Sequence, residues 1–339
     1  MQRLAVIGAG PAGLAAAQRL HASWPELEIS IFEKSRGVGG RAATRSRPPF
    51  RFDHGAQYVK ATTPALASAI AAETRHDITQ PVWLLHADSQ ITPGDPAQNI
   101  EAKWTYADGL TRLGRELAAG LSIHLETGVG QLIQHGLQWE LIAQDSGSLG
   151  RFDGVLLTPP APQLRTMLAA SVLPAERQAQ IDAALAPASY RRCLSLALGY
   201  ATPIERPWYA LINADRQHPI AWLAREHAKP GRAPAGSSLL IAQMSPGWSL
   251  AHWATPVEDL SGAIQPLIDA ILGETLPAPV LVDRQGWRYA LPEAAADGAA
   301  LHAVNDGLFW AGDYLVGQGR VHRAIESGWA AAERILARR

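Results

Sequence analysis

The sequence predicts an α/β fold in two domains, at least one of them discontinuous. Three observations predict it. The chain opens as strand, glycine turn, helix, strand and acidic residue. It closes as strand, Gly-Asp, glycine turn and helix. Between these ends lie many short alternating stretches punctuated by Gly and Pro. At 339 residues the chain is long enough for two cores of useful size.

The opening unit carries the sharpest chemistry. The apolar run Leu4–Ile7 leads into Gly8, Gly10 and Gly13, an Ala/Leu-rich helical stretch follows, and Ile29–Phe32 ends at Glu33 and Lys34. Gly8 permits a tight turn, Gly10 lets the backbone approach a pyrophosphate, and Gly13 lets helix and strand pack closely. The phosphates would sit at a helix N-terminus, where free N–H groups and the helix dipole favour negative charge. Glu33 follows Gly13 at the spacing of about 20 residues that sets a carboxylate against a ribose hydroxyl. The reading is a dinucleotide site, with one fingerprint for one dinucleotide.

Composition narrows the remaining classes. With 47% hydrophobic and 18% charged residues the chain reads as globular, and its formal net charge of -1 gives no reason to expect a nucleic acid or an anionic membrane as partner. No apolar run approaches the ~18 residues of a membrane span. The first strand begins almost at Met1, so no signal peptide is expected and the expected address is cytoplasmic. Cys193 is the single cysteine, which excludes an intramolecular disulfide and a CxxC site, and no metal is expected.

The other elements follow in order. Phe50–Val59 alternates as a strand running into a turn at Gly55, with Ala56, Gln57 and Tyr58 after it. His54 reads as a structural histidine hydrogen-bonded to backbone rather than a catalytic base. Thr63-Pro64 caps a short helix, and Pro93, Gly94 and Pro96 mark loops. Trp104–Leu121 reads as a turn and an amphipathic helix. Short strands are expected at Ile123–Leu125, Thr127–Val129, Leu132-Ile133, Trp139–Ile142 and Phe152–Leu157, with turns at Gly136 and Ser146-Gly147. Thr158–Pro162 reads as an exit into the second domain, with helices at Leu164–Leu168 and Arg177–Leu185. Strands follow at Cys193–Tyr200, Ile220–Arg225 and Leu239–Met244, then Trp248 and His252, a helix over Val257–Leu272, and a strand through Trp287 and Tyr289. The chain ends with strand Gly307–Ala311, then Gly312-Asp313, the turn Gly317–Val321 and a helix from about His322 to Ile335.

Several of these stretches resemble one superfamily. Gly37, Gly39, Gly40 and Arg41 resemble the GGR motif of the two-domain flavoproteins that include amine oxidases, phytoene desaturases, protoporphyrinogen oxidase and renalases. Asp53–Val59 resembles the "FDHGAQYF" segment of renalases. Residues 222–232 resemble their "WLARNxSKPGR" segment, with Glu226 where Asn is expected and Ala228 where Ser is expected. Trp287–Ala290 resembles their "HRWRYA" strand, and Gly312-Asp313 followed by a helix is shared across the superfamily.

The resemblance implies a Rossmann-like FAD-binding domain with a discontinuous α+β substrate-binding domain, of the p-hydroxybenzoate hydroxylase and amine oxidase kind. Residues 1–60, 101–160 and 286–339 would form the first, and 61–100 and 161–285 the second. FAD, held noncovalently, would meet Gly8, Gly10, Ala12, Gly13, Glu33, Lys34, Gly40, Arg41, Gly55, Ala56, Val129, Gly312, Asp313 and Val321. The resemblance also implies that residues 53–58 pass beside the flavin ring, where a backbone N–H can meet the edge that becomes negative on reduction.

Substrate class follows from the same resemblance. In amine oxidases a cage aromatic occupies the turn before the last helix, within "GY(M/V)EGA"; here Arg320 stands in its place, and His322 replaces a Glu common to both groups. An Arg there would repel a protonated amine and attract a phosphorylated substrate. Renalases oxidise isomers of NAD(P)H whose hydride sits on the wrong ring carbon; the flavin takes the hydride, NAD(P)+ leaves, and molecular oxygen becomes hydrogen peroxide. Such a donor needs no side-chain base, so no catalytic acid or base is assigned. The expected pocket comprises Gln57, Tyr58, Trp248, His252, Trp287, Tyr289 and Arg320. An amine oxidase or desaturase-like flavoenzyme is the alternative, and a redox-responsive flavin-binding protein without turnover is the non-enzymatic one.

Overall fold

The computed structural model describes residues 1–70, 73–145 and 147–339, with backbone alone for Gln98. The expected turn at Ser146-Gly147 has Ser146 outside the described residues. The chain forms two compact units, Met1–Ala42 with Leu113–Tyr190 and Leu291–Arg339, and Ala43–Arg112 with Arg191–Ala290.

The first unit holds a five-stranded parallel sheet in the order Leu308–Trp310, Gly154–Leu157, Arg3–Ile7, Glu28–Phe32, Ser122–His124. Leu4, Ala5, Val6, Val155, Leu156 and Leu157 are fully buried, as expected for the centre of a parallel sheet. Helix Pro11–Ser23 follows the first strand, and helix Val321–Leu336 packs along it. The contact is close because it is made of small residues: a methyl group added at Gly328 would lie 2.2 Å from the Ala12 carbonyl oxygen. A three-stranded antiparallel sheet, Val129–His135, Gln138–Ala143 and Ser148–Phe152, completes the unit.

Helices Ala161–Ala169 and Ala175–Leu185 belong to this unit, not to the second domain as the sequence suggested. Their apolar residues Leu164, Leu168, Ile181 and Leu185 share one core with Leu132, Trp139 and Trp310. Thr158–Pro162 is therefore a helix start, with Pro160 as N-cap, rather than an exit. The boundaries differ at three other places. Residues 43–60, 101–112 and 286–290 lie in the second unit, where the hairpin Thr44–Arg47/Phe50–Asp53 is tied by its Arg51 N–H to the Arg232 carbonyl at 3.0 Å.

The second unit is built on a seven-stranded sheet in the order Leu281–Ala294, Ser189–Tyr200, Ser238–Met244, Ile220–Arg225, Ala210–Asn213, Val82–Leu85, Ile91–Thr92. Alternation along its strands gives two separate cores. Leu194, Leu196, Leu198, Leu223, Leu240 and Ala242 face helix Val257–Leu272, which covers them with Leu260, Ile264, Ile268 and Ile271. Burying those four helix side chains contributes roughly 6–12 kcal/mol at about 1.5–3 kcal/mol each. Ala197, Ala224, Leu239 and Ile241 face the other way, towards Phe50, Phe52 and Tyr209. Among the described residues no helix is long and apolar enough to cross a membrane.

Candidate cofactor and substrate sites

In the first unit the glycine turn behaves as the motif requires. Gly8 has φ +102, and a methyl group on Gly13 would lie 2.2 Å from the Gly8 carbonyl oxygen, so strand and helix touch where only glycine fits. Nothing lies within 4 Å of where a Gly10 side chain would begin, which leaves open space before the helix. Gly10 is its N-cap without a side-chain cap, and its first turn carries no acid. The first N–H groups therefore remain for an external anion.

The second glycine run joins the first. Gly39 N–H donates to the Ala9 carbonyl at 2.9 Å, and a Gly40 methyl would lie 3.5 Å from Gly10 Cα. Glu33 is buried, and its carboxylate accepts from Ala9 N–H at 2.9 Å and Ser35 N–H at 2.8 Å. It thus closes the turn itself and, with about four lone-pair sites, still has acceptor capacity for ribose hydroxyls. Lys34 is exposed and reaches Gln163 Oε1 at 3.3 Å; Ala12 and Val129 are buried.

At the other end of the chain, buried Asp313 accepts a bidentate pair from Arg41 at 2.7 and 2.9 Å, and the Tyr190 hydroxyl at 2.9 Å. Burial alone would lower the Arg41 pKa, but Asp313 more than offsets it and holds the guanidinium above its ordinary value. Burial beside Asp313 raises the Tyr190 hydroxyl well out of its ordinary range. Gly312, at φ +139, donates its N–H to Ser327 Oγ at 2.9 Å. Helix Val321–Leu336 begins at Arg320 with no side-chain cap and no acid in its first turn. Arg320 is exposed and makes no carboxylate contact among the described residues; it donates to the Gly319 carbonyl at 3.0 Å. Two glycine turns, open space at Gly10, uncapped helix starts and buried carboxylates at Glu33 and Asp313 form a cradle that fits a dinucleotide such as FAD.

The second unit centres on a buried charge network. Asp53, Glu226, Lys229 and Arg232 have fully buried side chains. Lys229 Nζ lies 3.1 Å from Asp53 and 2.7 Å from Glu226, and Arg232 lies 2.7 Å from Asp53 and 3.5 Å from Glu226. Asp53 also accepts from Thr44 Oγ1 at 2.6 Å and Leu110 N–H at 2.9 Å. Burial would raise its pKa, yet Lys229 and Arg232 hold it below the ordinary value; burial pushes Glu226 up against the opposing pull of the same cations. The sequence singled out residues 222–232 by resemblance, but not this pairing.

His54 corrects an expectation. It is buried, its Nδ1 has no hydrogen-bond partner, and no backbone bond to its ring is present among the described residues. Instead the ring stacks on Trp287 at 5.4 Å. Burial, then the charge of Arg45, depresses its pKa to about 4, so it is neutral at pH 7.

The expected pocket residues divide. Gln57 Nε2 donates to the Asp53 carbonyl, and Trp287 Nε1 to the His54 carbonyl at 2.8 Å, so their polar groups serve the segment itself. Tyr58 lies 6.1 Å from Trp222, on the face of the sheet that carries Phe50 and Tyr209. Tyr289 shares the face of Trp287 by strand alternation. Trp248 and His252 are not brought together with these. They stack on each other at 3.9 Å, and Trp248 packs with the helix-covered core on the opposite face. The reason is that they sit on the short helix Pro246–Ala251 and at its C-cap, on that side of the sheet, which a list of aromatics does not carry. Sequence reasoning missed Gln243 and Tyr190. Gln243 had one signal, as the lone polar residue between Leu239 and Met244; Tyr190 had none.

Comparisons with known proteins agree with this fold. The sequence pattern of the family described as flavin containing amine oxidoreductase matches residues 68–336, and that of an NAD(P)-binding Rossmann-like domain matches residues 6–73. Renalase from Mus musculus is 27% identical over 304 residues, covering 86% of this chain and 85% of the relative. A triple mutant of putrescine oxidase superposes with a TM-score of 0.78 at 16% identity, covering 100% of this chain and 99% of that one. Cyclohexylamine oxidase from Brevibacterium oxydans IH-35A gives 0.76 at 15% identity with 99% of each chain covered. At such identities the structures establish the fold, which is the α/β class expected from the sequence.

Proposed function

The chain belongs to the flavin-containing amine oxidoreductase family, as a renalase-like, FAD-dependent oxidoreductase, and on that premise we propose that its substrates are isomeric dihydronicotinamides. The net reaction is 2- or 6-dihydro-NAD(P) plus oxygen and a proton, giving NAD(P)+ and hydrogen peroxide. A flavin, when bound, supplies the two-electron acceptor that oxygen can re-oxidise.

The observation that carries the reading is Arg320. It stands at the start of helix Val321–Leu336, exposed and without a carboxylate contact among the described residues. Cation and helix dipole together favour an anion and oppose a protonated amine. The phosphates of a dinucleotide substrate meet that requirement. Tyr58, Tyr289 and the ring of Trp287 offer flat surfaces for a nicotinamide. In the first unit the cofactor would be held noncovalently by the turn at Gly8, Gly10, Ala12 and Gly13, by Glu33 and Lys34, by Gly40 and Arg41, and by Val129, Gly312, Asp313 and Val321. Loss of hydration pushes the Cys193 thiol up to about 12, which argues against its being a nucleophilic attachment point.

The test is anaerobic mixing of the holoenzyme with NADH containing its 2- and 6-dihydro isomers, beside pure NADH and a simple amine. Rapid loss of flavin absorbance with the isomer mixture alone, and peroxide on admitting air, is the expected result. Loss with the amine alone would overturn the substrate reading.

A further inference from the structure

Helix Val321–Leu336 presents two flanks of different character. Gly328 lies on the side that meets helix Pro11–Ser23. At about 100° per residue, Arg323, Ala330, Arg334 and the following Arg338 are turned roughly 80–160° from it. This second flank borders two adjoining cavities of about 310 Å³ each, within the first unit. Trp310, Leu315, Val316, Ala330 and Ala331 give the first its apolar lining, and Phe309 and Arg338 line the second. His302 and Arg334 line both, so they stand where the two join. The hollow exists because the helix places small side chains, Ala330, Ala331 and Ala337, between its arginines.

The charges around the hollow do not cancel. Arg323 pairs with Glu326 at 3.1 Å. Arg334 and Arg338 make no carboxylate contact among the described residues. The Arg338 guanidinium lies 4.5 Å from the centre of the Phe309 ring, and the acid nearest in effect, Asp306, is already held by Arg177 at 2.6 Å. Burial, then the charges of Arg334 and Arg338, depress the His302 pKa, so the imidazole is neutral at pH 7 and offers one N–H. In the wall of the first cavity the Trp310 indole N–H is buried without a partner among the described residues. Cations in a last turn also suit the negative end of a helix dipole. That role accounts for two charges, but not for the hollow beside them or for the imidazole that both arginines act on.

We propose that this double cavity binds a phosphate monoester, with the phosphate on Arg334, Arg338 and His302 and the apolar body of the molecule in the first cavity. Two guanidiniums match the two charges of the phosphate, and their N–H forks match its oxygens. A carboxylate would leave one cation unneutralised. The space suits a small ligand, since pockets for such molecules start at about 300 Å³.

The experiment is calorimetric titration of the holoenzyme with phenyl phosphate and with inorganic phosphate at fixed ionic strength, so that screening is constant. Phenyl phosphate should bind the more tightly of the two. Arg334 is exposed and Arg338 half-buried, so Arg334→Gln and Arg338→Gln should keep their fold and flavin, and each should weaken phenyl phosphate about tenfold. Ala330→Leu, at an exposed position, should fill the first cavity and abolish the advantage of phenyl phosphate over inorganic phosphate. Arg320→Ala should leave the binding unchanged. Loss of binding in Arg320→Ala with full binding in Arg334→Gln would place the anion at the other end of the helix and overturn the site. No binding to the wild type would overturn it as well. A lowered thermal midpoint in both arginine variants with unchanged affinity would reduce Arg334 and Arg338 to charges that serve the helix end, which also overturns the proposal.

Discussion

Replacing Asp53 by Asn tests whether the second unit depends on its buried charge balance. Two carboxylates and two cations meet there with no side-chain exposure, so their formal charges cancel. Asn is nearly isosteric and can still accept from Leu110 N–H, but it leaves Lys229 and Arg232 sharing Glu226 alone. An uncompensated cation in the interior costs about 3–5 kcal/mol, whereas an exposed pair such as Arg3–Glu28 is worth about 0–1 kcal/mol. Because the acceptor oxygen survives, the expected loss is about 3 kcal/mol, a large part of a typical ~5–15 kcal/mol. Urea titration followed by circular dichroism at pH 7 measures it. Adding Lys229→Met to Asp53→Asn restores the charge balance, so the double variant should lose less than the sum, with a coupling of about 1–3 kcal/mol. The pH dependence has a definite sign. Asp53 titrates below its ordinary value in the folded chain, so its contribution is complete above the ordinary carboxylate range and is lost as pH falls through the lower folded value. The gap between wild type and Asp53→Asn should therefore close in acid. A loss below about 1 kcal/mol at pH 7, or strict additivity in the double variant, would refute the charge-balance argument.

Other expectations are more direct. Glu33→Ala removes acceptors for Ala9 and Ser35 N–H as well as for ribose, so FAD should bind at least about tenfold more weakly in a fluorescence titration, and full retention would remove Glu33 from the cofactor assignment. Arg320→Ala should raise KM for the dihydronicotinamide isomers about tenfold with flavin content unchanged, and an unchanged KM would remove phosphate steering. His54 is held neutral down to about pH 4, so stability should rise with pH from about 4 to 6.5, by on the order of 3 kcal/mol in all; His54→Phe should flatten that part of the urea-midpoint profile.

What the sequence makes legible is what chemistry demands at fixed spacing. Gly8, Gly10 and Gly13 are informative because a turn, an open approach and a helix contact each require glycine, and the structure meets all three requirements. The helix over Val257–Leu272 is legible from its apolar spacing and appears with those bounds. Pairings across long separations are not legible. Asp53 and Arg232 meet 179 residues apart, and nothing in either segment names the other. Nor does periodicity say which sheet a helix covers. Leu164 and Ile181 mark apolar faces correctly, but only packing assigns them to the core of Trp139 and Trp310. The same limit put Trp248 and His252 beside Gln57, because aromatic composition has no face.

The segment after Asp53 is poor ground for proton transfer. Asp53 is held charged by Lys229 and Arg232, and His54 is held neutral by burial at any pH well above about 4. Burial, with Glu226 and Asp53 nearby, keeps the Tyr209 hydroxyl protonated. A general base works best with its pKa near the operating pH, and each of these groups is driven away from it. Removing a proton from the carbon of an ordinary amine would draw on such a base. A dihydropyridine gives up hydride and electron pair together and regains aromaticity, so it asks only for alignment and for stabilisation of the charge it delivers. The locked titration states of Asp53 and His54 keep the charge of this segment constant across the neutral pH range.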